Sequence, residues 1–484
     1  MLKNLLSTGI DSLDGILRGG LIPGRFYLLR GGPGTGKTTL GLHFLIEGLN
    51  NNEKVLLVTM TENIEKIKEN GENFNFPMDE INYIDLSPGA DFISENKDYD
   101  LFTSAQSEQK PLIEKLTKKI DELQPDRIFF DGFTQLKYLS SDNFKFRKQI
   151  LSFMQFVKKY ASTILLTSEV GVSNPDDDLQ FMVDGIINIV YEYQNHYLEI
   201  TKYRGSSFQK GKHAMKFKSD GIQIYPQLEL KRNNFDYDYE AEILSFGISE
   251  IDKLLHGGIE RGTTTIITGP TGVGKTSLGS QFIKANSEND LKSIIYTFEE
   301  SYNTLIERSN SINIPLEQLQ NEKKVFVKEI NPLEYTPTEF ASEVIADVRE
   351  KDIALVLLDS IAGYFLTFNN PNEKQKMITG IHYLCEYLKV EGITVLMINE
   401  QQMITGDFQA TDTQTSFIAD NLIFLRYLEI QGKLKKAIGV LKKRMSSFEN
   451  TLRNFEITEA GIKVGKPLDN LRGILSGNPE FIDK

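Results

Sequence analysis

Two segments of this 484-residue chain have the residue types and spacing of a loop that wraps around phosphate groups. They read Gly31-Gly-Pro-Gly-Thr-Gly36-Lys37-Thr38-Thr39 and Gly269-Pro-Thr-Gly-Val-Gly274-Lys275-Thr276-Ser277, and both fit the pattern G-x-x-x-x-G-K-[ST]. Glycines in such a loop let backbone N–H groups close around phosphate, and the N-terminus of the following helix adds its dipole. The expected chemistry is therefore binding of the phosphates of a nucleotide.

The pattern assigns an expected role to individual residues of both loops. Lys37 and Lys275 are expected to reach the β- and γ-phosphates and to act in catalysis, while Thr38 and Thr276 are expected to ligate Mg²⁺. An apolar strand precedes each loop and a helical pattern follows it, which is the context that this motif requires. The other predicted phosphate contacts belong to the same loops: Gly34, Thr35, Gly36, Thr39, Thr271, Gly272, Val273, Gly274 and Ser277.

Downstream of each loop, an apolar run ends in an aspartate. These runs are Arg127-Ile-Phe-Phe-Asp131 and Leu355-Val-Leu-Leu-Asp359. Standing alone, such a run is most often an ordinary strand that enters a turn. Beside a phosphate-binding loop it is typical of a Walker B strand, whose aspartate lies next to nucleotide-bound Mg²⁺. We therefore expect Asp131 and Asp359 to be metal ligands.

A second acidic position differs between the two copies. Thr61-Glu62 follows the apolar run that begins at Val55, whereas Glu299-Glu300 follows the run Ser293-Ile-Ile-Tyr296. A carboxylate at this position could act as the general base for an attacking water or hydroxyl. The alternative is a solvated charge at the start of a helix, where acids favour the dipole. Both interpretations stay open for Glu62, and the Glu299–Glu300 pair favours catalysis.

Late in each half lies a basic cluster on a predicted hairpin strand. The clusters are Lys202-Tyr-Arg204-Gly-Ser-Ser207 and Lys442-Lys-Arg444-Met-Ser-Ser447. Residues two apart on a strand project to the same face, so each Lys–Arg pair could neutralise γ-phosphate charge as an arginine finger does. A basic surface strand is the ordinary alternative. Because the pattern recurs after both loops, a nucleotide contact is preferred.

These features repeat at one fixed interval, which indicates a duplicated domain. Gly31 and Gly269 are 238 residues apart (269 − 31), and so are Gly9 and Gly247 (247 − 9). The polar stretch 226–240 is the expected linker between domains 1–225 and 241–484, the second ending in a short tail. Apolar runs alternate with amphipathic stretches in both halves. This predicts an α/β fold twice over, each a mostly parallel sheet covered by helices on both faces.

Composition restricts the partners and the compartment. The formal charge of −13 with a pI near 5.1 repels a nucleic-acid backbone, so no nucleic-acid partner is expected. A single cysteine, Cys385, is expected to be a buried helical thiol in a reducing cytoplasm. Asp11 and Asp14 interrupt the apolar start, so we expect neither a signal peptide nor a membrane span.

Taken together, these segments resemble the KaiC family within the RecA-like ATPases, over nearly the whole chain. The resemblance rests on the lead-in Gly-Ile-x-x-x-Asp-x-x-x-x-Gly-Gly at 9–20 and its repeat, the two P-loops, the strand-end glutamates and the Lys-x-Arg hairpins. It implies a two-tiered homohexamer that binds ATP with Mg²⁺ at subunit interfaces and signals to protein partners. On this analogy Lys202 and Arg204 act on the ATP of the neighbouring subunit in the N-terminal ring, and Lys442 and Arg444 in the C-terminal ring.

The resemblance also implies candidate phosphorylation sites in the C-terminal half. The family's C-terminal domain phosphorylates itself on an adjacent Ser-Thr pair, and the matching stretch here is Thr411-Asp-Thr-Gln-Thr-Ser416-Phe417. Ser416 matches the serine, Phe417 replaces the threonine, and Thr411 matches a nearby threonine of the family. A full two-site cycle is therefore not expected. The C-terminal site, with Glu299-Glu300, is the better place for phosphoryl transfer to protein, and the N-terminal site is expected to be structural or slow.

Three classes of function fit these residues. The preferred one is an ATP-hydrolysing, autophosphorylating hexamer whose nucleotide state switches partner binding. A RecA-type DNA recombinase or helicase shares the P-loop core, but the chain lacks the basic excess that DNA binding usually brings. A signalling scaffold that binds ATP with little turnover is the third. Intact Lys37, Lys275, Asp131 and Asp359 argue for nucleotide binding but do not fix the rate.

Overall fold

The computed structural model describes residues 5–87, 105–138, 143–170, 176–192, 194–229, 242–366, 371–401, 415–430, 432–469, 471–472 and 480–481. The chain divides into two compact units, Met1–Gln227 and Leu228–Lys484. This division falls inside the segment that the sequence predicts as a linker. Each unit contains its own nine-stranded sheet.

In the N-terminal unit, the main sheet is assembled from strands that alternate with helices along the chain. The strands are β1 (Phe26–Gly31), β2 (Val55–Thr59), β3 (Asn82–Asp85), β4 (Arg127–Asp131), β5 (Thr163–Glu169), β6 (Gly185–Glu192), β7 (Asn195–Tyr203), β8 (Lys212–Lys218) and β9 (Gly221–Tyr225). The helices are α1 (Asp11–Ile16), α2 (Lys37–Asn50), α3 (Ile64–Glu72), α4 (Ala105–Leu123), α5 (Gln135–Tyr138), α6 (Asn143–Lys158) and α7 (Asp177–Met182), with a 3₁₀ turn at Met78–Glu80.

The C-terminal unit repeats this order after a two-stranded lead-in. Its strands are β10 (Ile243–Leu244), β11 (Ile259–Glu260), β12 (Thr264–Gly269), β13 (Ser293–Thr297), β14 (Val325–Glu329), β15 (Leu355–Asp359), β16 (Thr394–Glu400), β17 (Asn421–Ile430), β18 (Lys433–Lys443), β19 (Arg453–Thr458), β20 (Gly461–Pro467), β21 (Leu471–Arg472) and β22 (Glu480–Phe481). Its helices are α8 (Ser249–Leu254), α9 (Lys275–Ser287), α10 (Tyr302–Ser311), α11 (Leu316–Asn321), α12 (Pro337–Lys351), α13 (Ile361–Leu366) and α14 (Pro371–Val390), with a 3₁₀ turn at Thr415–Phe417.

Both sheets have the same topology. Their strand orders are β3-β2-β4-β5-β1-β6-β7-β8-β9 and β14-β13-β15-β16-β12-β17-β18-β19-β20. The first six strands of each order are parallel, and the last three continue the sheet in antiparallel hairpins. The predicted α/β fold, with two tandem RecA-like domains, is confirmed.

Successive residues of the central strands enter different cores, because a strand points its side chains alternately to opposite faces. In β1, Tyr27 and Leu29 pack into one cluster with α1 and α2, whereas Phe26 and Leu28 pack into another with α4 and α6. The C-terminal sheet has the same two cores, and Cys385 of α14 is buried in one of them, as predicted. Of the helices in the described ranges, none combines the length and apolar character needed to cross a membrane.

The lead-in motif is a structural device in both domains. Asp14 accepts hydrogen bonds from the backbone N–H and the hydroxyl of Thr8, both at 2.8 Å. Asp252 plays the same part, accepting from the backbone of Phe246 at 2.8 Å and from the hydroxyl of Ser245 at 2.6 Å. The carboxylate thus fixes the turn that leads into each short first helix.

Candidate functional site

The N-terminal P-loop connects the end of β1 to the start of α2. Gly36 precedes the helix with φ of 95°, a left-handed conformation that favours glycine. A Cβ atom on Gly31 would lie 2.5 Å from the Thr35 hydroxyl and 2.8 Å from the carbonyl oxygen of Ile189. The backbone therefore approaches its surroundings too closely for any side chain, and it leaves a cradle at the N-terminus of a 14-residue helix.

The second P-loop has the same construction between β12 and α9. Gly274 has φ of 115° and immediately precedes the helix. A Cβ atom on Gly274 would meet Ile457 Cδ1 at 2.5 Å. Val273 is fully buried in the core, and its burial anchors the loop to the domain. Both loops therefore have the cradle that phosphate binding requires.

The P-loop lysines fold back onto their own loops. Lys37 Nζ donates to the carbonyl oxygens of Gly31 at 2.9 Å and Gly32 at 2.7 Å, and Lys275 Nζ donates to that of Pro270 at 2.9 Å. Burial lowers the pKa of both lysines, and nearby carboxylates oppose that shift. Carbonyl oxygens are neutral acceptors, so a phosphate oxyanion would make a stronger, charge-assisted hydrogen bond with either ammonium group.

The predicted metal ligands lie together in both domains. The hydroxyl of Thr38 donates to Asp131 Oδ2 at 2.8 Å, and the hydroxyl of Thr167 donates to Asp131 Oδ1 at 2.7 Å. In the C-terminal domain Thr276 lies beside Asp359 and lowers its pKa, but burial is the larger influence and raises that pKa to about 6. A hydroxyl beside a buried carboxylate fits the oxygen-only preference of Mg²⁺.

The second acidic position has different geometry in the two domains. Glu299 Oε1 accepts a hydrogen bond from Ser360 at 2.6 Å, directly after Asp359. Glu300 instead pairs with Arg308 at 2.8 Å. Burial raises the pKa of Glu300, and Arg308 partly offsets that effect. Glu299 thus contacts the residue that follows the Walker B strand, while the charge of Glu300 contributes to the raised pKa of Asp359.

In the N-terminal domain, neither residue of the Thr61-Glu62 pair brings a carboxylate to the corresponding place. Glu62 is exposed, and its carbonyl oxygen accepts from the Thr59 hydroxyl at 2.6 Å. A Cβ atom on Gly132 would lie only 2.5 Å from the methyl group of Thr61. The contact between Glu299 and Ser360 is thus replaced by an apolar contact between Thr61 and Gly132.

Two further carboxylates lie beside the P-loops and were missed in the sequence. Glu169 ends β5 in register with Gly31, and Glu400 ends β16 in register with Gly269. Burial lowers the pKa of both P-loop lysines; Glu169, after Asp131, opposes that shift at Lys37, and Glu400 is the carboxylate that opposes it most at Lys275. Thr167-Ser168 and Asn399 separate these glutamates from the apolar runs before them, so the signal that identified Asp131 and Asp359 does not mark them.

The Lys-x-Arg pairs lie far from the P-loop of their own domain. Tyr203, next to Arg204, pairs with Gly185 of β6, which pairs in turn with Tyr27 near the start of β1. Lys443, next to Arg444, is connected in the same way through Asn421 of β17 to Thr265 near the start of β12. The P-loops begin at the opposite ends of β1 and β12. Those ends are four residues, or about 13 Å, further along each strand.

Local contacts hold the basic side chains at that distal end. Lys202 Nζ donates to the carbonyl oxygens of Gln180 at 2.6 Å and Phe181 at 3.3 Å, and Lys442 Nζ donates to that of Ser416 at 3.1 Å. Arg204 and Arg444 are exposed residues, and each donates an Nη2 hydrogen bond to a nearby carbonyl oxygen, that of Phe181 at 3.4 Å and that of Phe417 at 3.5 Å. The structure therefore does not bring either pair to the nucleotide cradle of its own domain.

The two candidate phosphorylation sites differ in what can be said of them. Ser416 lies in the 3₁₀ turn Thr415–Phe417 and is partly exposed. Its backbone carbonyl contacts Lys442, so the serine belongs to the distal end of the sheet with the basic pair. Thr411 lies outside the described residues.

Comparison with known proteins matches both domains to one protein family. A protein-family model described as "ATPase: KaiC" matches residues 6–229 and again 244–469. The circadian clock oscillator protein KaiC of Parasynechococcus marenigrum (strain WH8102) is 27% identical over 493 residues, covering 99% of this chain and 93% of that protein. The circadian clock protein KaiC3 of Synechocystis sp. is 26% identical, covering 98% and 94%. KaiC of Synechococcus elongatus is 26% identical, covering 99% and 92%.

These matches agree with the sites built from individual residues. Both matched ranges contain a glycine cradle, a P-loop lysine and a threonine–aspartate pair. The chain belongs to the KaiC family of ATPases, with the family's ATPase domain present twice.

Proposed function

We propose that this protein hydrolyses ATP in a homo-oligomer, a hexamer by analogy with its family, in which neighbouring copies complete each other's sites. The observation that carries the proposal is the position of the Lys-x-Arg pairs. They lie at the sheet end opposite the P-loop of their own domain, and both arginines are exposed residues. A second copy whose P-loop faces that end would receive two cations next to its γ-phosphate.

In this arrangement each residue of the two sites has a defined role. Lys37 and Lys275 exchange their carbonyl partners for phosphate oxygens, while Thr38–Asp131 and Thr276–Asp359 hold Mg²⁺. Bound Mg²⁺ supplies charge neutralisation at the phosphates. The cations contributed by the neighbour stabilise the charge that builds up during phosphoryl transfer.

The general base is proposed to differ between the domains. In the C-terminal domain Glu299, held by Ser360, is the favoured candidate to polarise the attacking group, with Glu300 engaged by Arg308. In the N-terminal domain both Glu62 and Glu169 are exposed, and Glu169 ends β5 in register with Gly31 of the P-loop. We assign water activation there to Glu169 and keep Glu62 as the alternative. The less equipped N-terminal site is proposed to turn over more slowly.

Autophosphorylation is the finer candidate activity. Ser416 lies beside Lys442 at the distal end of its own domain. Phosphoryl transfer to Ser416 would therefore use the ATP of a neighbouring copy, with Glu299 of that copy accepting the hydroxyl proton. Phosphosite mass spectrometry after incubation with Mg-ATP tests this activity. Phosphate on Ser416 that is lost in a Lys275→Ala variant supports it, whereas unmodified Ser416 and Thr411 remove the kinase from the account.

The proposed partners are copies of this chain and proteins that respond to its nucleotide state in the cytoplasm. Several of the chain's relatives are named circadian clock proteins. A DNA-acting recombinase is the alternative, and the net charge of −13 weighs against it. Tight, salt-sensitive binding to single-stranded DNA would reverse that preference.

A subunit-mixing experiment tests the central arrangement. Acceptor subunits carry Lys202→Ala and Arg204→Ala with an intact P-loop, and donor subunits carry Lys37→Ala with intact cations. All subunits also carry Lys275→Ala, so that only N-terminal sites turn over. Neither variant alone is expected to hydrolyse ATP, and the mixture is expected to recover activity. A mixture as inactive as its components would refute the shared site.

A further inference from the structure

A buried ion pair beside the N-terminal P-loop connects that loop to the distal cations. Arg30 immediately precedes Gly31 and contacts Asp176 through two nitrogens, Nε at 2.5 Å and Nη2 at 3.1 Å. The Asp176 side chain is fully buried and that of Arg30 is 16% exposed. Burial alone would raise the pKa of Asp176, but hydrogen bonds from Arg30 and Ser168 outweigh it and hold that pKa below its usual value. The pair is therefore charged and fully engaged.

From Asp176 a continuous set of contacts leads to Lys202. The segment from Asp176 through α7 runs from the P-loop end of the sheet towards the start of β6. Gln180 is fixed to Asp176 twice, by its backbone N–H at 3.0 Å and by its side-chain amide at 3.1 Å. The carbonyl oxygen of Gln180 then accepts from Lys202 Nζ at 2.6 Å.

A second connection runs from Arg30 across the sheet. Arg30 Nη1 donates to Asn188 Oδ1 at 3.3 Å, and Asn188 Nδ2 donates to the hydroxyl of Thr201 at 2.8 Å. Thr201 directly precedes Lys202 on β7. Arg30 is thus connected to Lys202 by two routes. One ends at Gln180, whose carbonyl oxygen binds the lysine side chain, and the other ends at Thr201, the neighbour of Lys202 in β7. This closed set of hydrogen bonds fixes the position of Lys202 relative to the P-loop of its own chain.

The C-terminal domain is built without this arginine. Thr268 occupies the position that corresponds to Arg30 at the repeat interval, and its hydroxyl accepts from Asn399 Nδ2 at 3.4 Å. A threonine before the first glycine is therefore compatible with a P-loop in this protein. An arginine at this position is therefore not a requirement of the loop itself.

We propose that Arg30 and Asp176 are positioning residues that hold Lys202 and Arg204 in place for the nucleotide of the neighbouring subunit. The inference rests on the proposed shared site and assigns its alignment to a specific pair. Misplacing a charged group by about 1 Å in an active site lowers turnover by roughly a hundredfold. Loss of the pair should therefore act on the neighbour's site rather than on the chain's own P-loop.

The test places one double variant, Arg30→Thr with Asp176→Asn, in either partner of the mixing experiment. Replacing both charges together avoids leaving one buried and unpaired. In donor subunits, whose own P-loop is already inactivated by Lys37→Ala, the double variant should lower the recovered turnover at least about tenfold. In acceptor subunits, whose cations are already removed, it should leave the recovered turnover unchanged.

The matched control is Glu53→Gln in the donor, which weakens another buried ion pair of the same domain, that with Arg127. It should leave the recovered turnover intact, and particle mass and thermal unfolding are followed for every mixture. Unchanged recovery with the donor double variant, or a loss confined to the acceptor, would overturn the inference. Failure of the unmodified donor and acceptor to complement would instead refute the shared site itself.

Discussion

At the scale of single residues, the two P-loops share one pattern but lie among different carboxylates. The carboxylates that oppose the lowered pKa of Lys37 are Asp131 and Glu169. For Lys275 they are Glu400, Asp359 and Glu299. At the second acidic position, the sequence distinguishes the two sites through Thr61 and Glu299. The additional acids become apparent when strand register places the ends of β5 and β16 next to the glycine loops.

Replacing either P-loop lysine should remove one nucleotide site and leave the other. A hydrogen bond to a charged group contributes about 1.5–3 kcal/mol, so Lys37→Ala or Lys275→Ala should weaken binding at its own site about tenfold to a hundredfold. Titration with a non-hydrolysable ATP analogue should give two sites per chain in the wild type and one tight site in each variant. Two unchanged sites in either variant would exclude the lysine from nucleotide binding.

The two glutamates of the C-terminal domain should differ in importance. With Lys37→Ala isolating that domain, Glu299→Gln should lower kcat about 10²–10⁴-fold with little change in KM, as expected for a lost general base. Glu300→Gln should have a smaller effect, because the Glu300 carboxylate is engaged by Arg308. Steady-state kinetics on the two variants measures the contrast. If Glu300→Gln lowered kcat as much as Glu299→Gln or more, Glu299 would no longer be the favoured general base.

At the scale of elements, apolar runs and motif spacing were sufficient to predict the α/β fold and both P-loops. Runs such as that ending at Asp131 are found as buried central strands. The location of the Lys-x-Arg pairs was not predictable, because it depends on the antiparallel pairing of β6 with β7 and of β17 with β18. The contact between Arg30 and Asp176 joins residues 146 apart, and no local pattern marks such a pair.

The loop that begins α2 gives a prediction about backbone conformation. Gly36→Ala should destabilise the N-terminal domain by about 2 kcal/mol, because Gly36 is left-handed and its new Cβ would lie 2.5 Å from Phe217 Cζ. Gly32→Ala is the matched control, since its Cβ would meet only Thr35 Cγ2 at 3.9 Å. Denaturant unfolding measures both. Equal stability of the two variants would show that the strain at Gly36 is negligible.

At the scale of the whole molecule, the duplication provides two P-loops with unequal surroundings. Each domain carries a P-loop at one end of its sheet and a basic pair at the other. In the proposed arrangement each copy binds one nucleotide per domain and completes the site of another copy. In the N-terminal domain, the Arg30–Asp176 pair connects these two ends. That domain is therefore the proposed place where neighbouring copies are most strictly aligned.

The most direct test of this account measures ATP turnover and particle mass in the same dilution series of the wild-type protein in Mg-ATP. If neighbouring copies complete each other's sites, turnover per chain should fall in proportion to the assembled fraction, and single chains should be nearly inactive. Single chains that hydrolyse ATP at the full rate of the assembled protein would contradict the shared site.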